Sequence, residues 1–212
     1  MKMNFKKSIL SVAAAVLFVT SSVAQFNGSI EFTKKVGTID VNYMYYVSGD
    51  NIRIDEITDG KIEGYQLINL KTSEFKGVSP DRKMYMDVPN KRPATELNVK
   101  VEKTGKTKEF QGVKCSEIVV TCADKDRKIV YYMAKGDYNF FIPMLETLNR
   151  KENQSMFFLE IPDMKGYFPM KSTEYAISTG AVVSELTAGK ITKSKIDAGK
   201  FEIPSDFKKF ER

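Results

Sequence analysis

The 212-residue sequence contains no histidine and no tryptophan, and it has only two cysteines. Without histidine, a Ser-His-Asp or Cys-His catalytic group cannot be built, and no imidazole is present to bind zinc, haem or non-haem iron. Asp55 and Glu56 are adjacent in a predicted strand, so their carboxylates point to opposite faces and cannot act on one bond. The sequence therefore predicts a protein that is not an enzyme, with no catalytic residue, no metal site and no cofactor.

Long apolar runs are also missing, since residues 9–19 form a run of only 11 where a membrane span requires about 20. Three lysines precede this run, and the small residues Ser-Val-Ala at 22–24 follow it. This is the pattern of a secretory signal peptide that is cleaved before Gln25. The sequence therefore predicts a signal peptide at 1–24, one domain at 25–212, and export to the periplasm or the extracellular space. No cysteine lies near the cleavage site, so we expect no lipid anchor. Because the apolar run is too short to cross a bilayer, we also expect no membrane-spanning segment.

Positive charge is less abundant than the formal net charge of +6 suggests. The first 24 residues carry three lysines and no acids, which leaves 30 basic and 27 acidic residues, or +3, in the mature chain. There is no arginine-rich run of the kind that binds phosphate backbones. A nucleic-acid partner is therefore not expected.

Short β-prone runs separated by turn signals make up most of the mature chain. The strands predicted from them are 27–34, 40–47, 51–57, 62–70, 74–78, 83–88, 98–104, 113–121, 128–134, 156–161, 167–176, 181–187, 190–196 and 201–203. One helix is predicted at about 142–151, because an apolar stripe recurs there at i, i+3, i+4 and i+7. A helix this short is unstable alone and must pack on an apolar surface.

The fold class predicted from this order of elements is mainly β with a minor helical part. We expect a strongly curved antiparallel sheet, a half-barrel, with the short helix in or over its concave face. Two observations favour it: several strands carry bulky apolar groups on both faces, and the helix interrupts the strands in mid-sequence. A two-sheet sandwich is the alternative.

Four segments carry a resemblance to a known superfamily: 26–30 (FNGSI), 106–115 (KTKEFQGVKC), 166–175 (GYFPMKSTEY) and 193–204 (KSKIDAGKFEIP). The chain resembles the LolA/LolB-like superfamily of periplasmic lipoprotein carriers, and more closely an uncharacterised, Bacteroidetes-type family of exported proteins with that fold. The resemblance implies an open barrel with an apolar concave face that is partly covered by helix. In the carriers, that cavity shields acyl chains. The departure is that this sequence has one clear helix, fewer than the carriers use as a lid.

Methionine and aromatic side chains could form an adaptable lining for an irregular apolar ligand, although ordinary core filling is the alternative. The candidate ligand-binding residues are Tyr43, Tyr45, Ile52, Ile54, Tyr65, Leu67, Met84, Met86, Phe141, Met144, Leu145, Met156 and Phe158. The function predicted from them is a soluble envelope protein that binds an apolar or amphiphilic, lipid-like ligand. The alternative is a structural or interaction module that binds an envelope protein partner through a sheet edge.

Three further residues carry specific expectations. Arg53 alternates with Ile52 and Ile54, which predicts a solvent-facing side chain; in a carrier-like fold it would instead hydrogen-bond a lid. Cys115 and Cys122 lie in one continuous predicted strand, about 23 Å apart, whereas a disulfide requires Cα atoms within about 7 Å. We therefore expect two free thiols, on opposite faces of the strand.

Overall fold

The computed structural model describes residues 25–90 and 96–211. The predicted signal peptide lies outside the described residues. Within them, no helix is long and apolar enough to cross a membrane.

Twelve strands, two α-helices and two short 3-10 turns are formed by the described residues. The strands are β1 (Gly28–Val36), β2 (Ile39–Ser48), β3 (Asn51–Thr58), β4 (Lys61–Asn69), β5 (Glu74–Ser79), β6 (Met84–Asp87), β7 (Lys100–Phe110), β8 (Val113–Cys122), β9 (Arg127–Lys135), β10 (Tyr167–Ala176), β11 (Val182–Lys193) and β12 (Lys208–Lys209). The helices are α1 (Phe141–Leu148) and α2 (Asn153–Leu159), and the 3-10 turns are Ala123–Lys125 and Ala198–Phe201.

All strands belong to one sheet in the order β12-β6-β5-β4-β3-β2-β1-β11-β10-β9-β8-β7. Two antiparallel meanders, β1–β6 and β7–β11, are joined by the pairing of β1 with β11. The C-terminal β12 adds to β6 in parallel, with Lys208 opposite Met84. The first and last strands of this order do not pair with each other, so the sheet is open. The expectation of one mainly β, open antiparallel sheet is confirmed, and the two-sheet sandwich is not formed.

The two faces of the sheet are covered over different halves. On one face, which we call the helical face, Phe32 and Phe168 pack against each other and Phe168 packs against Phe141 of α1. On the other face, which we call the outer face, Tyr65 and Leu67 pack with Ile203 of the C-terminal segment. The helices pack by their side chains on β9–β11, and α1 also approaches β4 and β5, whereas the C-terminal segment covers β3–β6 from behind.

The predicted strand at 156–161 is wrong, because most of it forms the second helix, α2. Gln154, Phe157, Phe158 and Ile161 are buried at the helical spacing i, i+3, i+4 and i+7. The run of aromatic and β-branched residues has a strong strand propensity, but burial of one helical stripe decides the local structure. The expectation of a single helix is corrected to two.

Two strand breaks that the sequence analysis predicted near glycines are not present in the structure. The segments predicted as 181–187 and 190–196 form the single strand β11, with a register shift against β1 where Gly189 lies close to Glu31. Strand β7 likewise continues through Gly105, which has a φ of +75° at a second register shift. The predicted strand 201–203 is also wrong, since Phe201 ends a 3-10 turn. Isolated glycines inside strands here mark bulges.

Gly28 gives the FNGSI segment a structural role. Its φ is +150°, and a Cβ atom added there would lie 2.0 Å from the carbonyl oxygen of Thr192 on β11. Only glycine allows β1 and β11 to approach this closely, and their pairing joins the two meanders.

The two cysteines are free, as predicted, and both are buried. Their expected placement on opposite faces is wrong, because both belong to the same core cluster. Cys115 and Ile118 are both buried although they lie three positions apart, so strict alternation fails between them. The neighbouring strand β7 shifts its register at the same place, around Gly105.

Arg53 is not solvent-facing, which corrects the expectation from alternation. Its guanidinium forms an ion pair with Asp55 and stacks 3.7 Å from the centroid of the Tyr65 ring. The Nη1 atom also donates a hydrogen bond of 3.2 Å to the carbonyl oxygen of Lys200. The C-terminal segment covers this part of the outer face and buries the charge.

Candidate groove on the helical face

A groove of about 450 Å³ lies over strands β2–β6. Apolar side chains form much of its lining: Tyr43, Ile54, Met84, Met86 and Phe210. Phe210 follows the short strand β12, so the C-terminal segment closes one side of the groove. The lining is that of a site for an apolar group.

The floor of the groove is bare because two glycines lie within its strands. One row of cross-strand partners runs over the helical face through Ile30, Tyr45, Ile54, Gln66, Gly77 and Met86. A neighbouring row pairs Tyr43 with Glu56, and Glu56 with Gly64. A Cβ atom added at Gly77 would make only ordinary contacts, at 3.8 Å from Val88 and 3.9 Å from Met86. Because these two glycines have no side chains, the space above the sheet stays open at their positions.

Polar side chains also line this space. Gln66 and Glu56 belong to the two floor rows, next to Gly77 and Gly64, and Arg82 lies in the turn between β5 and β6. Arg150, which follows α1, donates a hydrogen bond of 2.7 Å from Nη2 to Oε1 of Gln66. Burial raises the pKa of Tyr43 to about 12, and Glu56 adds to the effect, so its hydroxyl stays neutral. A mainly apolar space with a few polar groups in its lining suits an amphiphilic molecule.

The other half of the helical face is filled by α1 and α2. Between the helices and the sheet lies a small cavity of about 50 Å³, and Tyr43 lines both this cavity and the groove. Phe141 meets Phe158 with a ring-centroid distance of 5.0 Å and Phe168 with one of 4.9 Å. This aromatic packing leaves the open space on the β2–β6 side.

Hydrogen bonds from buried polar side chains fix α2 on the sheet. Gln154 donates from Nε2 to the Ser184 hydroxyl at 2.7 Å, and Ser184 donates to Oε2 of Glu174 at 2.8 Å. Ser172 donates to the amide oxygen of Gln154, and the Tyr131 hydroxyl donates to its backbone carbonyl. Because these buried polar groups form hydrogen bonds with one another, they fix the position of α2 on the sheet.

The structure distributes the predicted ligand-binding residues over several places. Tyr43, Ile54, Tyr65, Met84 and Met86 line the groove. The small cavity under the helices is lined by Tyr43, Tyr45, Phe141, Leu145 and Phe158. Beside the helices, a cavity of about 330 Å³ is lined by Leu145 and Met156, among others.

The remaining three predicted residues lie elsewhere. Ile52 and Leu67 border a cleft of about 470 Å³ that also includes Phe201 and Ile203. Met144 is fully buried in the main core. Cross-strand register also separates the set: Ile54 is opposite Gln66 on the helical face, whereas Tyr65 is opposite Asp55. Tyr65 borders the groove but packs in the outer-face cluster with Leu67.

Sequence reasoning missed nine of the residues that line the groove. These are Glu56, Gly64, Gln66, Gly77, Val78, Ser79, Arg82, Tyr85 and Phe210. The sequence did contain a signal for Gly64 and Gly77, because a glycine inside a strand pattern marks a bend or a close approach. The position of Phe210 depends on the fold of the C-terminal segment and has no local signal.

No cluster of three or more metal-ligating side chains occurs within residues 25–90 and 96–211. Asp55 and Glu56 lie on opposite faces, as their adjacency predicts. The groove therefore offers a binding surface and no paired carboxylates.

Comparison with known proteins places the chain in a family. A family model described as "Domain of unknown function (DUF4412)" matches residues 26–207. The chain belongs to the DUF4412 family. No curated protein matches it. Whether DUF4412 is the Bacteroidetes-type family expected from the sequence stays a prediction.

Solved structures share the fold of this DUF4412 protein at low sequence identity. An uncharacterized conserved protein from Thermus thermophilus aligns with a TM-score of 0.57 and 9% identity, over 90% of this chain and 93% of that one. A chain of the MucA/MucB complex from Pseudomonas aeruginosa aligns with a TM-score of 0.51 and 9% identity, over 87% of this chain and 58% of that one. A LolA superfamily protein from Nitrosomonas europaea aligns with a TM-score of 0.36 and 8% identity, over 85% and 91%. The first two matches show a common fold and nothing about function.

Proposed function

We propose that this DUF4412 protein is a non-enzymatic protein of the cell envelope that binds an apolar or amphiphilic, lipid-like ligand. The ligand occupies the groove on the helical face, which is the concave face of a LolA-like half-barrel. The observation that carries the proposal is the bare floor at Gly64 and Gly77 between apolar walls. Elsewhere on this face, the helices fill the corresponding space.

The size and chemistry of the groove support this proposal. Its volume of about 450 Å³ lies within the range of about 300–1,000 Å³ found for small-molecule sites. Met84 and Met86 supply flexible, polarizable side chains, which adapt to ligands of irregular shape. Arg82 and Glu56 supply polar groups in the lining for the head of an amphiphile. No reaction is proposed.

The alternative of a module that captures a partner strand has less support. At one edge, β6 is already paired with β12 of the same chain. At the other edge, β7 carries Lys100, Lys103, Lys106 and Lys108 together with the register shift around Gly105. Lysines and bulges on an edge strand oppose pairing with another chain.

A titration with a fluorescent fatty acid, kept below its micelle-forming concentration, tests the groove. Gly77→Leu should abolish binding, because the side chain rises from the floor into the groove while its Cβ makes ordinary contacts. Gly77→Ala is the matched control: it removes the same glycine but adds one methyl group, so binding should persist. Equal binding by the native chain and the Gly77→Leu variant would reject the groove as the site.

A further inference from the structure

Several large apolar side chains are exposed at one end of the sheet. Val36 is 45% exposed, Ile39 66% and Val182 55%. Val36 and Ile39 are cross-strand partners beside the β1–β2 turn. Lys35 of β1 lies opposite Glu185 of β11, so Val182 at the start of β11 lies at the same end. We call this end of the sheet the rim.

The groove reaches the same rim. In an antiparallel meander every second turn lies at the same end, so the β1–β2 turn shares its end with the β3–β4 and β5–β6 turns. Arg82, in the β5–β6 turn, lines the groove. The groove therefore extends to the end of the sheet where Val36, Ile39 and Val182 are exposed.

An apolar stripe along β2 connects the rim with the groove. Alternation places Ile39, Val41, Tyr43 and Tyr45 on one face of the strand. Ile39 is exposed at the rim, Val41 and Tyr43 are partly buried, and Tyr43 lines the groove. An acyl chain moving between the rim and the groove would stay in contact with apolar side chains.

Charge on the rim favours an apolar contact over an electrostatic one. Residues 35–40, 58–61, 80–83 and 123–126 together carry five basic and five acidic side chains, and residues 177–182 carry none. A balanced surface with protruding apolar side chains fits a lipid interface better than a strongly charged partner. Turn residues can enter such an interface while the strands behind them keep their hydrogen bonds.

We propose that the rim around Val36, Ile39 and Val182 docks on the surface of a phospholipid bilayer, from which the groove takes up its ligand. This inference rests on the proposed function of the groove and adds the source of the ligand. Docking is driven by the exposed apolar side chains, so added salt should change it little.

Flotation with phosphatidylcholine vesicles tests the rim. The double variant Val36→Asp/Ile39→Asp should weaken vesicle binding by about tenfold or more, because two side chains that enter the lipid become charged. Leu159→Asp is the matched control: Leu159 is 39% exposed at the end of α2, away from the rim, and its substitution should leave vesicle binding unchanged. Thermal unfolding verifies that each variant is folded. Vesicle binding by the double variant equal to that of the native chain overturns the proposal.

The soluble fatty acid probe separates this proposal from the one on which it rests. The double variant should bind the probe like the native chain, since neither substituted residue lines the groove. A native chain that binds the probe but not the vesicles refutes docking and leaves the groove function intact. A native chain that binds vesicles but not the probe refutes the groove function and leaves docking intact. A native chain that binds neither vesicles nor the probe refutes both proposals.

Discussion

Replacement of Arg53 by methionine should strongly destabilise the protein. Asp55 is 1% exposed, and Arg53 is its ion-pair partner. The second carboxylate oxygen of Asp55 has no hydrogen-bond partner among the described residues. Arg53→Met would therefore leave a buried carboxylate without a countercharge, while the methionine keeps much of the apolar volume.

The expected loss follows from this burial. Breaking a buried ion pair by removing one partner costs about 3–5 kcal/mol. Loss of the stacking on Tyr65 and of the hydrogen bond to Lys200 is part of the same change, so these contributions are not added separately. For a chain of this size, the loss corresponds to a fall in Tm on the order of 10 °C.

Urea unfolding, followed by circular dichroism, measures the change in the free energy of unfolding. The double variant Arg53→Met/Asp55→Leu removes both charges and should recover most of the stability, because an apolar pair replaces the ion pair. Arg82→Met is the control, since Arg82 is exposed and its loss should change stability by less than about 0.5 kcal/mol. If Arg53→Met is as stable as the native chain, or if the double variant is no more stable than Arg53→Met, the Asp55 carboxylate does not depend on Arg53 for its countercharge.

Three more predictions concern the thiols, the C-terminal strand and one glycine. Unreduced, denatured protein should show two reactive thiols, whereas in the folded state burial raises the pKa of Cys115 to about 11 and thiol reagents should react slowly. Hydrogen bonds from Lys209 and Lys76 to Asp87, and from Lys83 to Asp206, lower the pKa of both carboxyls from its usual value. These ion pairs should therefore hold β12 fully above the usual carboxyl pKa, and they should weaken as the pH falls through the lowered pKa, as seen in the NMR amide signals of β12. Gly28→Ala should lower the Tm by several degrees, because its Cβ would overlap the Thr192 carbonyl; an unchanged Tm would contradict the close approach.

Alternation in the early strands was sufficient to predict part of the groove. It placed Tyr43 and Tyr45 on one face of β2, and Tyr43 lines the groove. Helix α2 could not be separated from a strand by pattern alone, since a short apolar run with two phenylalanines fits both structures until a buried stripe is known.

Long-range contacts explain why the other features were not predictable. Arg53 binds the carbonyl of a residue 147 positions later, so its burial depends on where the C-terminal segment folds. Phe210 reaches the groove for the same reason. Gly64 and Gly77 were visible in the sequence, but their meaning depends on cross-strand neighbours that leave the space above them open.

Native mass spectrometry of protein purified without detergent shows whether the groove holds a lipid-like ligand. The native chain and Gly77→Ala should carry a co-purifying lipid-like molecule, and Gly77→Leu should not, since its side chain occupies the groove. A native chain that is always empty, or a Gly77→Leu variant that carries the same molecule, would rule out the groove as the site of a lipid-like ligand.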